Sequence, residues 1–336
     1  MSFIAEVDYS IIICSYNPDE HLLKRCLKAI SVFFLEGLRS EIILVDNNST
    51  VPLAGQEYIK QFVKETSTKL LLVGQSGLRY ARMAAIEASR GKYVVFFDDD
   101  NEPDPNYLQE LSTLNRILPA VAAWGPGTVD VDFINGISRD LESYATEAFQ
   151  DRHETSVTYS NQHSWQQCYP YGTGLCLRRD YLVEYLSLAK QGKFTLTGRN
   201  GELLSSGEDT QMILFCISKG SAAGVAPSLK LTHMIPAKRA NFDYLKRLTY
   251  GTSVCYSTCV SEVFPDYIQQ VQKRTISERR FVKKAMKKYF KLYFQRDLQK
   301  TFDLINYIGV VYGDYLVLNK AVPPSIQWIL RKLKAV

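Results

Sequence analysis

Gly91-Lys92-Tyr93-Val94-Val95-Phe96-Phe97-Asp98-Asp99-Asp100-Asn101 is an apolar run of strand length that stops on three consecutive carboxylates. Residues 93–97 read as a strand buried on both faces, the kind found in a parallel sheet. Carboxylates at its C-terminal end then stand where open α/β sheets bind their ligands. Asp98 and Asp100 are two apart, so an extended chain puts them on one side. Hard oxygen donors held that way suit Mg²⁺ or Mn²⁺ carrying a diphosphate. The competing reading is an acidic turn that simply meets water, and the sequence around it has to decide.

Working outward, residues 9–14 (YSIIIC) form a first buried strand, broken by Ser15-Tyr16-Asn17-Pro18. Residues 19–35 have helical spacing, with Leu22, Leu23, Cys26, Leu27, Ile30 and Phe34 on one face. Residues 41–45 (EIILV) are a second strand ending at Asp46-Asn47-Asn48-Ser49. A short helix is expected over 58–63, a strand over 69–73, and a helix over 77–89 that stops at Arg90-Gly91. Strand-helix-strand units of this length predict a parallel sheet with right-handed crossovers. Further on we expect a helix over 107–117, a strand over 121–124 that ends at Gly125-Pro126-Gly127, and an irregular, partly helical excursion over 128–167. A glycine-rich turn, Gly172-Thr173-Gly174, leads into a short strand. Gly207-Glu208-Asp209-Thr210 opens a helix, and residues 229–233 form a last short strand. From about residue 241 the pattern is helical.

Several constellations carry chemistry, each with a plainer alternative. Moving a group off a diphosphate calls for a metal on the leaving oxygens and a base for the attacking hydroxyl. The carboxylates at 98–100 suit the first task and Asp209 the second, although Glu208 and Asp209 also read as ordinary N-terminal helix charges. His233, at a strand end, is either a structural histidine or a third ligand beside a carboxylate-bound metal. Asp46-Asn47-Asn48-Ser49 and Ser15-Tyr16-Asn17 either hydrogen-bond a nucleobase or form side-chain-stabilised turns. Arg79 and Arg82 are placed to neutralise a diphosphate, or to lie solvated on a helix.

Taken in order, these segments closely resemble the family 2 glycosyltransferases, inverting enzymes with the GT-A fold. The resemblance covers roughly residues 8–236. It runs through Cys14-Ser15-Tyr16-Asn17-Pro18, Val45-Asp46-Asn47-Asn48-Ser49, residues 77–82, Phe97-Asp98-Asp99-Asp100, Gly172-Thr173-Gly174 with Arg178-Arg179, and Gly207-Glu208-Asp209-Thr210. It implies a catalytic domain at 1–238, with a nucleotide-binding half (1–103) and an acceptor-binding half (104–238), followed by a helical basic region at 239–336. Ser15, Tyr16, Asn17, Asp46, Asn48, Arg82, Asp98 and Asp99 would contact the nucleotide sugar. Asp100 and His233 would hold Mn²⁺ or Mg²⁺, Asp209 would be the base, and Gly172, Thr173, Gly174 and Glu208 would face the acceptor. The donor implied is a UDP-sugar before a dTDP-sugar, and the acceptor a glycan or lipid-linked saccharide of the cell surface. Two features depart from the family. Ala81-Arg82-Met83-Ala84-Ala85 stands where Ala-Arg-Asn-x-Gly is common, and no Gln-x-x-Arg-Trp follows His233, against the processive membrane-embedded synthases. A metal-dependent sugar nucleotidyltransferase, or a non-catalytic nucleotide-sugar-binding protein, is the alternative. The first needs a Gly-rich basic loop after strand one, which Ser15-Tyr16-Asn17-Pro18 is not.

Composition agrees with a folded chain of 336 residues: 46% hydrophobic, 22% charged and +5 net. Seven scattered cysteines without a C-x-x-C pair point to reduced thiols and the cytoplasm. The first six residues carry no secretory signature, and no run reaches the roughly 18 apolar residues of a spanning helix. Nucleic acid is not an expected partner. The charge is uneven, with eleven Lys and Arg over 273–300 against Glu278 and Asp297. Within it Phe281, Val282, Ala285, Met286, Tyr289, Phe290 and Tyr293 share one helical face and lysines fill the other. Such a helix either docks on its own protein or lies on an anionic membrane surface, which would be the inner face of the cell membrane.

Overall fold

A computed structural model describes residues 7–196, 204, 207–295 and 297–336, without the side chains of Tyr293 and Gln295. The N-terminal residues read above for a secretory signature lie outside these, as does the side chain of Tyr293. The first half alternates strand and helix: β1 (Tyr9–Ser15), α1 (Glu20–Ser31), β2 (Ser40–Asp46), α2 (Glu57–Thr66), β3 (Lys69–Leu72), α3 (Leu78–Ala88) and β4 (Tyr93–Asp98). Then follow β5 (Asn101–Pro103), α4 (Tyr107–Ile117), β6 (Val121–Phe133), α5 (Arg139–Ala148), β7 (Arg152–His153), β8 (Thr158–Ser160), β9 (Leu175–Arg178), α6 (Arg179–Lys190), α7 (Glu208–Ser218) and β10 (Ala222–Ile235). The chain closes with α8 (Phe242–Val263), α9 (Tyr267–Arg274), α10 (Glu278–Gln295), α11 (Leu298–Val317) and α12 (Pro324–Leu333).

The strands form one mixed sheet in the order β3-β2-β1-β4-β9-β6-β10-β5. The first four are parallel, with Ile13 opposite both Leu44 and Phe97. β9 runs antiparallel to β4, and β5 antiparallel to the C-terminal part of β10. Four parallel strands are thus extended by antiparallel ones, the arrangement expected from the resemblance to a GT-A fold. Alternation along β1 and β4 sends Tyr9, Ile11, Ile13, Val95 and Phe97 into one core with Leu23, Cys26, Leu27 and Ile30 of α1, Ile59 and Phe62 of α2, and Leu108 and Leu111 of α4. Burying that many side chains supplies most of the driving force for this layer. Gly91 has no room for a side chain: a Cβ would come 2.4 Å from the Ser10 nitrogen. Its N–H and that of Arg90 donate to Ser10 Oγ, which fixes where β4 starts.

Contacts divide the chain into two compact units: 1–132, 150–195 and 212–234 form the first, and 133–149, 196–211 and 235–336 the second. In the second, α8 and α11 cross closely because Gly309 and Gly313 face Ser253 and Val254. A Cβ on Gly313 would come 2.4 Å from the Val254 carbonyl oxygen. Beneath that crossing lies a polar network. Asp314, 4% exposed, accepts from Arg274 Nη2 (2.6 Å) and Nε (2.9 Å) and from Ser257 Oγ (2.6 Å). Arg274 also donates to the Tyr267 hydroxyl at 2.7 Å. α10 packs through Phe281, Ala285 and Leu292 onto Leu304, Ile305 and Ile308 of α11 and Ile326 and Ile329 of α12.

Some expectations need correction. Phe34 lies past the end of α1 and is 59% exposed, because the helix stops at Ser31. Gly125-Pro126-Gly127 does not end β6, which runs on to Phe133. The glycines there meet close neighbours instead: a Cβ on Gly125 would strike Pro170, and one on Gly127 the Ala226 backbone. The irregular excursion contains the rest of β6, α5, β7 and β8. The last strand is fourteen residues long rather than five. Phe290 is not on the buried face of α10, being 54% exposed. Among the described residues no helix is long and apolar enough to cross a membrane.

Candidate active site

β4 ends by delivering Asp98, Asp99 and Asp100 into a tight turn, and Asn101 closes that turn. The Asp98 N–H donates to Asn101 Oδ1 (3.0 Å), and Asn101 Nδ2 donates to Asp100 Oδ1 (3.1 Å). Asn101 is fully buried. The sequence carries no sign of this role beyond a polar residue directly after the carboxylates. Each aspartate has its own brace. Ser15 Oγ, at the end of β1, donates to Asp99 Oδ2 at 2.5 Å. The Arg82 guanidinium lies 3.8 Å from Asp98 Oδ1 and over the Phe96 ring, and it is only 6% exposed. His233 Nε2 lies 3.6 Å from Asp100 Oδ1. That contact follows from register: β10 pairs with β5 so that His233 stands opposite Asn101, and the Met234 N–H donates to the Asp100 carbonyl. Beneath the turn, burial first and then the three carboxylate charges push the Cys26 thiol well above its ordinary range.

The loops after β1 and β2 are sewn together. Asn17 and Asn48 both adopt left-handed backbone, with φ of 47° and 64°, a region Asn tolerates better than most residues. The Asn17 N–H donates to Ser49 Oγ (3.0 Å), and the Thr50 N–H donates to Asn17 Oδ1 (2.8 Å). Asp46, 2% exposed, accepts from the N–H groups of Ser49 and Leu53. Asn47 bridges to the loop before α3, accepting from the Gly77 N–H (2.8 Å) and donating to the Gln75 carbonyl (2.8 Å). Asn48 Nδ2 reaches Ser76 Oγ at 3.3 Å. The Tyr16 ring is left 52% exposed at this rim. Arg79 donates to the Ala189 carbonyl of α6.

Gly172, Thr173 and Gly174 are all buried. Gly174 has φ +67°, and its carbonyl accepts from the Tyr107 hydroxyl at 2.6 Å, so this turn anchors the start of β9. Glu208 and Asp209 begin α7 within the second unit. Asp209 Oδ1 accepts from the Thr210 N–H at 2.8 Å, while Glu208 is 5% exposed. α8 holds this helix start from two sides. Cys259 Sγ contacts the Gly207 carbonyl oxygen at 3.4 Å, and Gln211 Nε2 donates to Glu262 Oε2 at 2.7 Å. Burial, followed by the charge of Asp209, raises the Cys259 thiol well above its usual value. The structure therefore gathers Ser15, Arg82, Asp98, Asp99, Asp100 and His233 around one turn, with Asn17, Asp46 and Asn48 in the loops beside it. Among the described residues, no group of three or more His, Cys, Asp or Glu side chains is arranged around one metal position.

Residues 10–167 match the family model described as Glycosyl transferase family 2. This stretch is a family 2 glycosyltransferase domain. The match takes in every residue from Ser15 to Asp100 discussed above and stops short of Gly172, Asp209 and His233. "Putative glycosyltransferase EpsH" of Bacillus subtilis (strain 168) is 27% identical over 104 residues, which is 30% of this chain and 28% of EpsH. The matched part thus spans under a third of that relative. Among solved structures, GalNAc-T7 with UDP, GalNAc and Mn²⁺ aligns with a TM-score of 0.48 at 14% identity, over 76% of this chain and 51% of that one. TarS 1–349 of S. aureus aligns with a TM-score of 0.46 at 13% identity, over 89% and 90%.

Proposed function

We propose that the glycosyltransferase domain moves one sugar from a nucleoside diphosphate donor, UDP before dTDP, onto a hydroxyl with inversion at the anomeric carbon. The acceptor is a glycan or lipid-linked saccharide in cell-surface polysaccharide synthesis, and the reaction takes place in the cytoplasm at the inner face of the membrane. The observation that carries this is the separately braced carboxylate turn at the end of β4. A solvated acidic turn has no need of a buried arginine, a buried histidine and a serine, one for each carboxylate. The donor set fits a divalent ion: Asp100 and His233 stand 3.6 Å apart, an oxygen and a nitrogen ligand of the kind Mn²⁺ accepts, with Mg²⁺ as the second choice. Mg²⁺-like sites take one or two protein carboxylates and complete their shell with substrate phosphate and water, which agrees with so few protein ligands here. When bound, such an ion offsets charge on the departing diphosphate.

The chain's own residues supply the rest. Arg82 holds positive charge beside Asp98, where the diphosphate passes. Ser15 holds Asp99 beside the end of β1, and Asp98 faces the ribose. Tyr16 offers an exposed ring for the base, and the Asn17, Asp46 and Asn48 loops frame it. Asp209 takes the proton of the acceptor hydroxyl as the new bond forms at the anomeric carbon and the bond to the diphosphate breaks. Glu208 and the Gly172-Thr173-Gly174 turn belong to the acceptor side.

A thermal-shift screen of nucleotide sugars with and without Mn²⁺ tests this reading. A donor at about 100 times its Kd adds about 2.7 kcal/mol to stability, on the order of 5 °C for a chain of this size. Nucleotide sugars that leave the melting temperature unchanged under both conditions refute it. Asp100→Ala should abolish metal dependence together with turnover and cost about 1–2 kcal/mol of stability from the lost contacts to Asn101 and His233. Near-normal turnover in that variant at saturating donor overturns the metal assignment. Release of pyrophosphate rather than nucleoside diphosphate would favour the nucleotidyltransferase instead.

A further inference from the structure

The helices of the second unit bring exposed rings and ammonium groups together on one side of α10 and α12. α10 turns Phe281, Ala285 and Leu292 inward, yet Phe290 is 54% and Phe294 82% exposed. These two are four residues apart and so share a helix face. α12 adds Trp328 at 40% exposure. Tyr289 joins the two helices, meeting Phe290 edge-on at 6.0 Å and Trp328 at 5.4 Å. Lys283, Lys284, Lys287, Lys288 and Lys291 are exposed along α10, as are Arg331 and Lys332 at the end of α12. The Lys332 ammonium lies 5.9 Å from the Trp328 ring centre.

A cavity of about 280 Å³ opens beside Tyr289 and Leu292. Lys246, Lys332 and Lys334 line it against a single carboxylate, Asp243. Asp243 holds Lys246 at 2.8 Å and Lys334 at 3.6 Å, so three ammonium groups share one negative charge and the cavity stays cationic. Solvent alone accounts for the lysines. It gives no reason for exposed aromatic rings beside them, which is the composition that favours the headgroup level of a bilayer.

We infer that this face of α10 and α12 binds an anionic phospholipid surface. Phe290, Phe294 and Trp328 enter the boundary between headgroups and acyl chains. The lysines pair with lipid phosphates, and the cationic cavity beside Lys332 adds to the positive potential. The inference deepens the proposed function, resting on it only for the purpose: the domain is held where a lipid-linked acceptor is found.

The test uses the full chain without donor or acceptor, so its failure leaves the transfer reaction standing, and failure of the transfer assay leaves the surface standing. Vesicles of phosphatidylcholine alone, and of phosphatidylcholine with phosphatidylglycerol, are sedimented with the protein at low and high salt. Binding is expected to the anionic vesicles only and to fall at high salt. The triple variant Lys287→Glu, Lys288→Glu, Lys291→Glu should lose at least about a hundredfold in partitioning, and Phe290→Ser with Phe294→Ser at least about tenfold. Melting curves check that both variants remain folded. Of the three tryptophans, Trp124 is 1% exposed and Trp165 belongs to the first unit, so brominated lipid should quench Trp328 fluorescence, and Trp328→Phe should remove that quenching. Equal binding to neutral vesicles, no binding, or no quenching overturns the inference. So does binding that ignores the phenylalanine changes, which would describe a plain polyanion contact.

Discussion

Asp209→Asn leaves donor binding and the fold intact and lowers turnover by roughly 10²–10⁴, the usual worth of a positioned base. The substitution is nearly isosteric. The asparagine oxygen can still accept from the Thr210 N–H, as Asp209 Oδ1 does at 2.8 Å, so the start of α7 should keep its turn. Its supports from Cys259 and Glu262 involve Gly207 and Gln211 and are untouched. Only proton-accepting ability is removed. Donor affinity by calorimetry and single-turnover rates separate the two possibilities. A variant that turns over normally would make Asp209 a helix cap, and one that loses donor binding would make it structural.

Asp314→Ala should destabilise the chain by about 2–4 kcal/mol, more than Asp100→Ala. Removing one member of a buried ion pair costs about 3–5 kcal/mol when the other charge is left stranded. Arg274 is 40% exposed and can partly rehydrate, which brings the figure down. Ser257 Oγ loses its acceptor as well, and Arg274, which holds the Tyr267 hydroxyl, loses its anchor, so α8, α9 and α11 loosen together. Urea denaturation checks the size of the effect. A loss below about 0.5 kcal/mol would mean the network is ornamental to this unit's stability. A matching loss of vesicle binding is not expected, because Phe290, Trp328 and the lysines lie outside the network.

The first hundred residues were legible because three of their four strands are uninterrupted apolar runs followed at once by polar residues. Ile11-Ile12-Ile13, Ile42-Ile43-Leu44-Val45 and Val94-Val95-Phe96-Phe97 leave few other readings, and the parallel order of β1 to β4 follows from helices long enough to cross over. The antiparallel half was harder. Gly125-Pro126-Gly127 carries the local chemistry of a turn, but at this place the glycines are needed because Pro170 and the Ala226 backbone leave no room for a side chain. Long-range packing, absent from any window of sequence, overrode the local preference. The same holds for β10, whose polar residues Ser228, Lys230 and Thr232 alternate with buried Leu229 and Leu231 and so hid its length. In the site, the three aspartates announced themselves, while Asn101 did not. Its value comes from both ends of its amide, and amides are common in turns. Helical periodicity placed Phe290 and Phe281 on one stripe. The bundle covers only the part of that stripe facing α11 and α12.

The braces around the carboxylate turn also set a timetable for folding. Ser15 meets Asp99 once β1 pairs with β4, whereas His233 lies far along the chain and reaches Asp100 only after β10 has paired with β5. Contacts between such distant segments form late, because long loops must close first. A nascent chain that has emerged only through β5 therefore has its aspartates but neither the imidazole nor the Met234 N–H that hold the turn. Refolding followed by pulsed hydrogen exchange should protect β1, β2 and β4 well before the amide of Met234. The cell would thus make the hydrophobic sheet first, and the capacity to hold a charged donor would arrive as one of its last acquisitions.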